Sequence, residues 1–536
     1  MLGTLLQNGY EPTESTAHAD YLVVNTCGFL EAARKEAKDS IEQMLSTKKA
    51  SSKLIVTGCM VNLHKDQILK DYPQVDAVLG AGSIDKILTV VKELDDTVDT
   101  NIDRSDNDGD GNETDTDRLS SSSKDAARSF LNQADVPRVL ATPSHYAYLK
   151  IAEGCKKRCS FCIIPKIKGP LQSKAPEQVV RECKALVESG VSEIVLIAQD
   201  LGDYGKDCGK KKKKTTSTTT TTTTNKRMDV DVAGDNSATN GTDTTETTKE
   251  ATLAAPSMPS LPPPPPLNRG DDLASLLRSI LTSLPKEEYP TFQWLRLMYL
   301  YPDEITDDIL EVMEGDDRIC RYVDMPIQHV SDRILGKMRR KTTGDGIRQT
   351  ISTVRDRLPR MHIRTSLMVG FPGETEDEFE ELLSFVREAR LENVGVFQYS
   401  NEELADSSRI PDQIPEETKE ARYRRLMEAQ LEVVRLNNES MMGKELHVVL
   451  EDERDDYFIG RYYGQCADID GQVLIEKTTK MPKATRRPFV HRQRQRRGPQ
   501  GSMIGLPPTT LQIGQRYPVR VTGYDEYDLI GRLSIQ

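Results

Sequence analysis

The sequence predicts an α/β protein in three ordered parts: an N-terminal parallel α/β unit, a partial (β/α)6 barrel and a small C-terminal β-barrel. Two patterns point to this. Apolar runs of strand length alternate with amphipathic helical stretches through most of the chain, as in parallel sheets joined by crossover helices. From about Met441 the pattern turns to short alternating strands separated by Gly and Asp, as in a small β-barrel. Three polar stretches interrupt the order, and regular patterns resume on either side of each.

In the first part, Tyr21-Leu-Val-Val-Asn-Thr26 reads as a strand that ends at Cys27. A helix follows with Ala33, Ala37, Ile41 and Leu45 on one face. Lys53-Leu-Ile-Val-Thr57 repeats the arrangement and ends at Gly58-Cys59. Parallel strands deliver their carboxyl ends to one crevice, so both cysteines are expected at a shared metal site.

The second part begins at Tyr146-Ala-Tyr-Leu-Lys-Ile-Ala152 and continues through five further strands, at 193–198, 294–298, 321–325, 365–369 and 394–398. Helices lie between them, such as 177–189, stopped by Gly190. Chemistry in such barrels sits at the carboxyl ends of the strands. In the third part the expected strands are 446–450, 472–475 and 517–521. Boundaries are placed at 1–92, 141–433 and 436–536. Residues 93–135, an insertion at 206–268 and a basic insertion at 480–502 lack the apolar content to offset their ordering entropy.

The 536 residues have room for three to four domains. No run of eighteen or more apolar residues occurs, so no membrane span is expected. The nine cysteines are an odd number, and five of them lie in two metal-like contexts. That favours a reducing compartment over a disulfide framework. The net charge of −12 disfavours a nucleic-acid partner if spread evenly, but it is uneven. Residues 95–117 are acidic, whereas 480–497 carry eight Lys or Arg and read either as a contact to RNA or as a solvated loop.

The most specific motif is Glu153-Gly-Cys-Lys-Lys-Arg-Cys-Ser-Phe-Cys-Ile-Ile-Pro165. Thiolates at Cys155, Cys159 and Cys162 can hold three corners of a 4Fe-4S cube and leave the fourth iron open. The competing reading is structural zinc, which needs a fourth ligand. None follows at the usual spacing, and the nearest histidine, His145, lies ten residues upstream.

This motif closely resembles that of the radical S-adenosylmethionine enzymes. The order of the three parts resembles the methylthiotransferases within that superfamily, which carry an N-terminal cluster domain and a C-terminal TRAM domain. Asn25-Thr-Cys-Gly-Phe-Leu30, Pro143-Ser-His-Tyr-Ala-Tyr-Leu-Lys150, Arg158-Cys-Ser-Phe-Cys-Ile-Ile-Pro165 and Asp525-Glu-Tyr-Asp-Leu529 sharpen the likeness. They resemble the branch that methylthiolates an aspartate β-carbon of ribosomal protein S-twelve in the small ribosomal subunit.

The resemblance implies two 4Fe-4S clusters and S-adenosylmethionine as cofactors. Cys155, Cys159 and Cys162 would hold the cluster that cleaves S-adenosylmethionine to a 5′-deoxyadenosyl radical, which abstracts hydrogen from an unactivated carbon. A second cluster supplies sulfur in the family and has three cysteine ligands. Cys27 and Cys59 match two of them, and the third is missing. The chain opens at Met1-Leu-Gly-Thr-Leu-Leu-Gln-Asn-Gly-Tyr10, which matches the helix after the strand that carries it. The expectation is an incomplete N-terminus, with assembly of the second cluster in doubt. Cytoplasmic location follows from the resemblance, or plastid or mitochondrion if a transit peptide has been lost.

Cofactor contacts are expected from Gln199, Asp200, Tyr204, Arg296, Gln328, Gly370, Gly373 and Glu374, which lie in or after the barrel strands. Arg296 has a competing role as partner of a barrel carboxylate. His329 reads as a packing or hydrogen-bonding residue, because radical abstraction needs no acid or base. Cys183 reads as core, and Cys208, Cys320 and Cys466 carry no motif. A monomer is expected, with electron donor and sulfur source unidentified. Two other readings remain open: methylthiolation of a tRNA adenosine, and a non-catalytic cluster-bearing protein that binds ribosomes or RNA.

Overall fold

The computed structural model describes residues 1–99, 138–207, 271–477 and 511–534. The basic stretch 480–502 and its expected RNA contact at 480–497 lie outside them, as do Cys208 and most of the other two low-complexity stretches.

In the N-terminal unit, β1 (Tyr21–Thr26), β2 (Lys53–Gly58) and β3 (Ala77–Gly80) form a parallel sheet in that order. The third strand has only four residues and gave no sequence signal. On one face the helix Glu31–Thr47 buries Ala37 and Ile41 against Leu22, Leu54 and Val56. On the other, Ile55 and Leu79 pack against Val90 and Val91 of the helix Ile87–Asp99. That helix corrects the expectation of disorder from residue 93. Leu94 joins the same apolar cluster, and the Asp95 carboxylate accepts hydrogen bonds from Tyr10 and Tyr21. Tertiary contacts thus extend the helix into an acidic composition.

The barrel strands are β4 (Tyr146–Lys150), β7 (Glu193–Ile197), β8 (Trp294–Leu297), β9 (Ile319–Asp324), β10 (His362–Val369) and β11 (Asn393–Gln398). They form one parallel sheet in chain order. A small antiparallel ladder, β5 (Ala152–Glu153) with β6 (Gln172–Ser173), brackets the cysteine loop. Side chains alternate between the two faces of each strand. Leu149, Ile194, Leu196, Leu295, Leu297 and Leu367 pack outward on the helices. Val195, Trp294, Met298, Cys320 and Tyr322 point inward and meet Val449 and Cys466.

The C-terminal barrel closes in the order β12 (Glu445–Glu453), β13 (Tyr457–Arg461), β14 (Val473–Glu476), β16 (Asp528–Leu533), β15 (Arg516–Asp525). Sequence patterning missed β13 and β16, because each contains a glycine that lowers strand propensity. Packing explains both glycines. A Cβ at Gly460 would lie 2.5 Å from Val448 Cγ1, and one at Gly531 2.5 Å from Val519 Cγ1.

The connection from β13 to β14 fills the inner face of the parallel sheet. Tyr146 and Tyr322 donate to Asp468 and Asp470, each at 2.8 Å, and Tyr148 donates to the Ala467 carbonyl at 3.2 Å. Beside them Glu193 is almost fully buried and receives Arg296 Nε at 2.7 Å and Arg461 Nη2 at 2.6 Å. Burial would raise the Glu193 pKa, but Arg461 and Arg296 outweigh it and lower it to about 2.

Two expectations follow for this group. Its stabilising effect is complete above the ordinary pKa of 4.5 and is lost as pH falls from there towards about 2, which acid unfolding followed by fluorescence would register. Glu193→Ala leaves the buried Arg296 guanidinium without a carboxylate and Arg461 with Glu451 alone, and should destabilise the protein by about 3–5 kcal/mol in urea titration.

Candidate cofactor and cluster site

The cysteine loop leaves β5 at a point where only glycine fits. Gly154 has φ +77°, and a Cβ there would lie 2.3 Å from the Pro170 carbonyl. Cys155 N–H then bonds the Gly169 carbonyl at 3.3 Å. Ser160 anchors the middle of the loop: its N–H reaches the Met338 carbonyl at 3.1 Å, its hydroxyl donates to the Lys337 carbonyl at 2.8 Å, and its carbonyl accepts from Ser407 N–H at 2.9 Å. The loop is therefore pinned to the far side of the barrel.

Cys159 is buried, and Cys155 and Cys162 are half-buried. Burial pushes the Cys155 thiol up to about 12 and Cys162 to about 11, although the Lys157 and Ile164 N–H groups pull the other way. Such thiols ionise only when a metal takes the proton's place. Lys157 N–H donates to Cys155 Sγ at 3.3 Å, and Arg340 Nη1 stands 3.9 Å from Cys159 Sγ.

Next to the loop, buried acceptor atoms are left over. Gln199 Nε2 donates to Glu153 at 3.2 Å, while Gln199 Oε1 has no hydrogen-bond partner among the described residues. The same holds for Asp203 Oδ2 and Asp324 Oδ2, while Asp200 Oδ2 has only the Lys157 ammonium, at 3.4 Å. Asp200, Asp203 and Glu304 bring carboxylate oxygens within 4.8 Å of one another around Lys157, whose Nζ is 2.5 Å from Glu304 and 3.4 Å from Asp200. Burial and the neighbouring Asp203 raise the Asp200 pKa to about 6 despite Lys157. Lys156 and Lys206 also pair with Asp203, and Lys206 with Glu304; the acceptor atoms that remain, Gln199 Oε1, Asp203 Oδ2 and Asp324 Oδ2, suit a cationic ligand rich in donors, as S-adenosylmethionine is.

Other expected contacts divide. Gln328 follows β9 in a left-handed conformation, φ +73°, bridged to β10 by bonds of its N–H to the Ser366 carbonyl and of Met368 N–H to its own carbonyl. Gly370 follows β10 with φ +74° and no room for a side chain, since a Cβ would meet Lys419 Cγ at 2.3 Å. Glu374 is different from expectation: one oxygen is 3.1 Å from His329 Nε2, and the other accepts from Gly370 N–H and from Arg422 at 2.9 Å. Fully occupied and buried, it holds the turn in place and leaves nothing for a ligand. His329 Nδ1 accepts from Ser331 N–H at 3.0 Å, so His329 is a hydrogen-bonding residue as expected.

Two more of the expected contacts have partners within the protein. Tyr204 is fully buried and donates to the Lys174 carbonyl at 2.7 Å. Arg296 is committed to Glu193 and to the Tyr463 carbonyl at 2.7 Å, on the face filled by the C-terminal barrel. Gly373 carries neither: its N–H bonds the Asp412 carbonyl at 2.8 Å and its own carbonyl accepts from Arg333. Cys183 is core, fully buried in the helix Pro176–Glu188.

Cys27 and Cys59 follow directly after Thr26 and Gly58, which pair in the β1–β2 register. A Cβ at Gly28 would come within 2.9 Å of the Cys59 backbone, so the two turns are in contact. Phe29, Cys59 and Leu63 pack on Ile163, Ile167 and Ala405, and Asn62 Nδ2 donates to the Ile167 carbonyl at 3.0 Å. The N-terminal cysteine turn thus rests on the segment that follows Cys162.

Arg340 and Lys157 escaped sequence reasoning. Lys157 is a spacer in the motif, and Arg340 is 181 residues from the cysteine it faces. A cation beside a cluster thiolate raises the cluster's reduction potential. Arg340→Gln should therefore leave the iron content of anaerobically reconstituted protein unchanged and move the midpoint potential negative in a redox titration followed by electron paramagnetic resonance.

Comparison with known proteins adds three matches along the chain. Residues 1–80 match the family described as Uncharacterized protein family UPF0004, residues 265–386 the Radical SAM superfamily, and residues 442–533 the TRAM domain. Three relatives are named ribosomal protein uS12 methylthiotransferase RimO. The protein from Protochlamydia amoebophila is 42% identical over 99% of this chain and 88% of its own length. That from Chlamydia abortus is 36% identical over 99% and 91%. The Bdellovibrio bacteriovorus protein is 33% identical over 100% and 94%. Among solved structures, a radical S-adenosylmethionine methyltransferase from Kitasatospora setae is similar over 71% of this chain and 64% of its own, at 10% identity and a TM-score of 0.42.

Proposed function

Because this chain belongs to the ribosomal protein uS12 methylthiotransferase (RimO) family, we propose that it replaces a hydrogen on the β-carbon of a uS12 aspartate with a methylthio group. The observation that carries this reading is similarity along nearly the whole chain, joined to the three free cysteines of the loop after β5, at the carboxyl edge of the parallel sheet. When bound, a 4Fe-4S cluster and S-adenosylmethionine supply the electron and the carbon radical that break an unactivated C–H bond.

The chain's own residues hold and orient these groups. Cys155, Cys159 and Cys162 would ligate the cluster, and the Lys157 N–H and Arg340 donors would balance its thiolate charge. Gln199, Asp200 and Asp324 would accept from the cationic cofactor, and the turns at Gln328 and Gly370 would let backbone approach it. Glu374, His329 and Arg422 keep the Gly370 turn rigid. Cys27 and Cys59 would contribute ligands to the second cluster, and the packing of Cys59, with Phe29 and Leu63, against Ile163 and Ile167 supports a short path for sulfur.

Two variants separate these roles. Cys155→Ala should abolish both 5′-deoxyadenosine release and modification of uS12, measured by chromatography and mass spectrometry. Cys59→Ala should keep 5′-deoxyadenosine release and lose the methylthio group. A methylthio group found on tRNA instead of uS12 would overturn the substrate assignment, and no 5′-deoxyadenosine from the unaltered chain would leave only a binding role.

A further inference from the structure

A cavity of about 550 Å³ lies at the opposite end of the barrel from the cysteine loop. It opens between the first residues of β8, β9 and β10 and the C-terminal barrel, and four cationic residues line it: Arg321, Arg360, Lys444 and Arg516. Three of their donor atoms are buried without a hydrogen-bond partner among the described residues: Arg321 Nη1, Arg516 Nε and Arg516 Nη2. Burial holds Arg516 below the usual arginine range. Such orphaned guanidinium donors are rare in folded proteins, and two arginines sharing one cavity call for an acceptor.

The carboxylates around the cavity do not fill that need. Glu392 accepts the Ile363 N–H at 2.8 Å and stands 3.7 Å from Arg355. Asp317 is paired with Lys286, and Glu445 is exposed. Arg516 lies over the Trp294 ring at 4.9 Å, which fixes its plane. Tyr463 and Tyr527, both half-buried, supply aromatic wall where a planar ring can pack.

We propose that this cavity binds a small phosphate-bearing anion of nucleotide size, its phosphate held by Arg321 and Arg516. Planar guanidiniums match phosphate oxygens two at a time, and the volume falls in the range of small-ligand sites. Arg360 and Lys444 add charge at the rim. None of these residues touches the cysteine loop, so occupancy is separable from cluster chemistry.

Titration calorimetry at low salt on the full-length, anaerobically reconstituted protein tests this with pyrophosphate, adenosine monophosphate and a short RNA oligonucleotide. The expected result is one-site binding of both small anions, weakened about tenfold or more by Arg516→Gln and by Arg321→Gln. Lys444→Gln, at an exposed position, should weaken it about threefold. The visible cluster spectrum and uS12 modification should be unchanged in all three. Failure of both small anions to bind overturns the proposal, as does equal binding by the arginine variants. Binding of the oligonucleotide alone would overturn it in favour of an RNA surface.

Discussion

Glu193 between Arg296 and Arg461 is the interaction on which the rest of the architecture turns. A carboxylate and two guanidiniums withdrawn from water persist only if each is paired; here Arg296 ties β8 to β7, and the Arg461 pair joins that sheet to the C-terminal barrel. The consequence is geometric. With the inner face occupied by the β13–β14 connection, the space for a cofactor lies towards the carboxyl ends of the strands, where the cysteine loop is. The C-terminal barrel is thus built into the catalytic domain's interior and does not hang from it as a separate module.

At those strand ends the site is assembled from features that conflict when the cofactors are ignored. Thiols are buried where their ionisation is unfavourable, and carboxyl oxygens are buried without donors. Both are resolved by positive charge, from iron in one case and from a sulfonium and ammonium in the other. Lys157 is the protein's own partial answer, reaching Glu304 and Asp200 while its N–H serves Cys155. Glycines and a left-handed Gln328 let the backbone turn tightly at the same edge, and Glu374 ties one such turn to His329 and Arg422.

The N-terminal sheet meets this edge through apolar contact. Phe29, Cys59 and Leu63 pack on Ile163 and Ile167, while Arg34 and Glu402 form an ion pair at 2.8 Å alongside. Both parallel sheets therefore present their carboxyl ends to a common region, which is what a reaction using two centres requires.

The sequence by itself determined the α/β order, the six barrel strands and the two cysteine turns, because strand runs, helix periodicity and ligand spacing are local properties. It also carried the CxxxCxxC motif and its open fourth position. Only the tertiary structure decided that Arg296 and Tyr204 are structural, that Glu374 acts through a turn, and that Arg340 faces Cys159. These roles depend on partners far along the chain, and a single sequence does not record which distant side chains meet. The missed strands β13 and β16 have the same origin: their glycines look like breaks until barrel closure brings Val448 and Val519 against them.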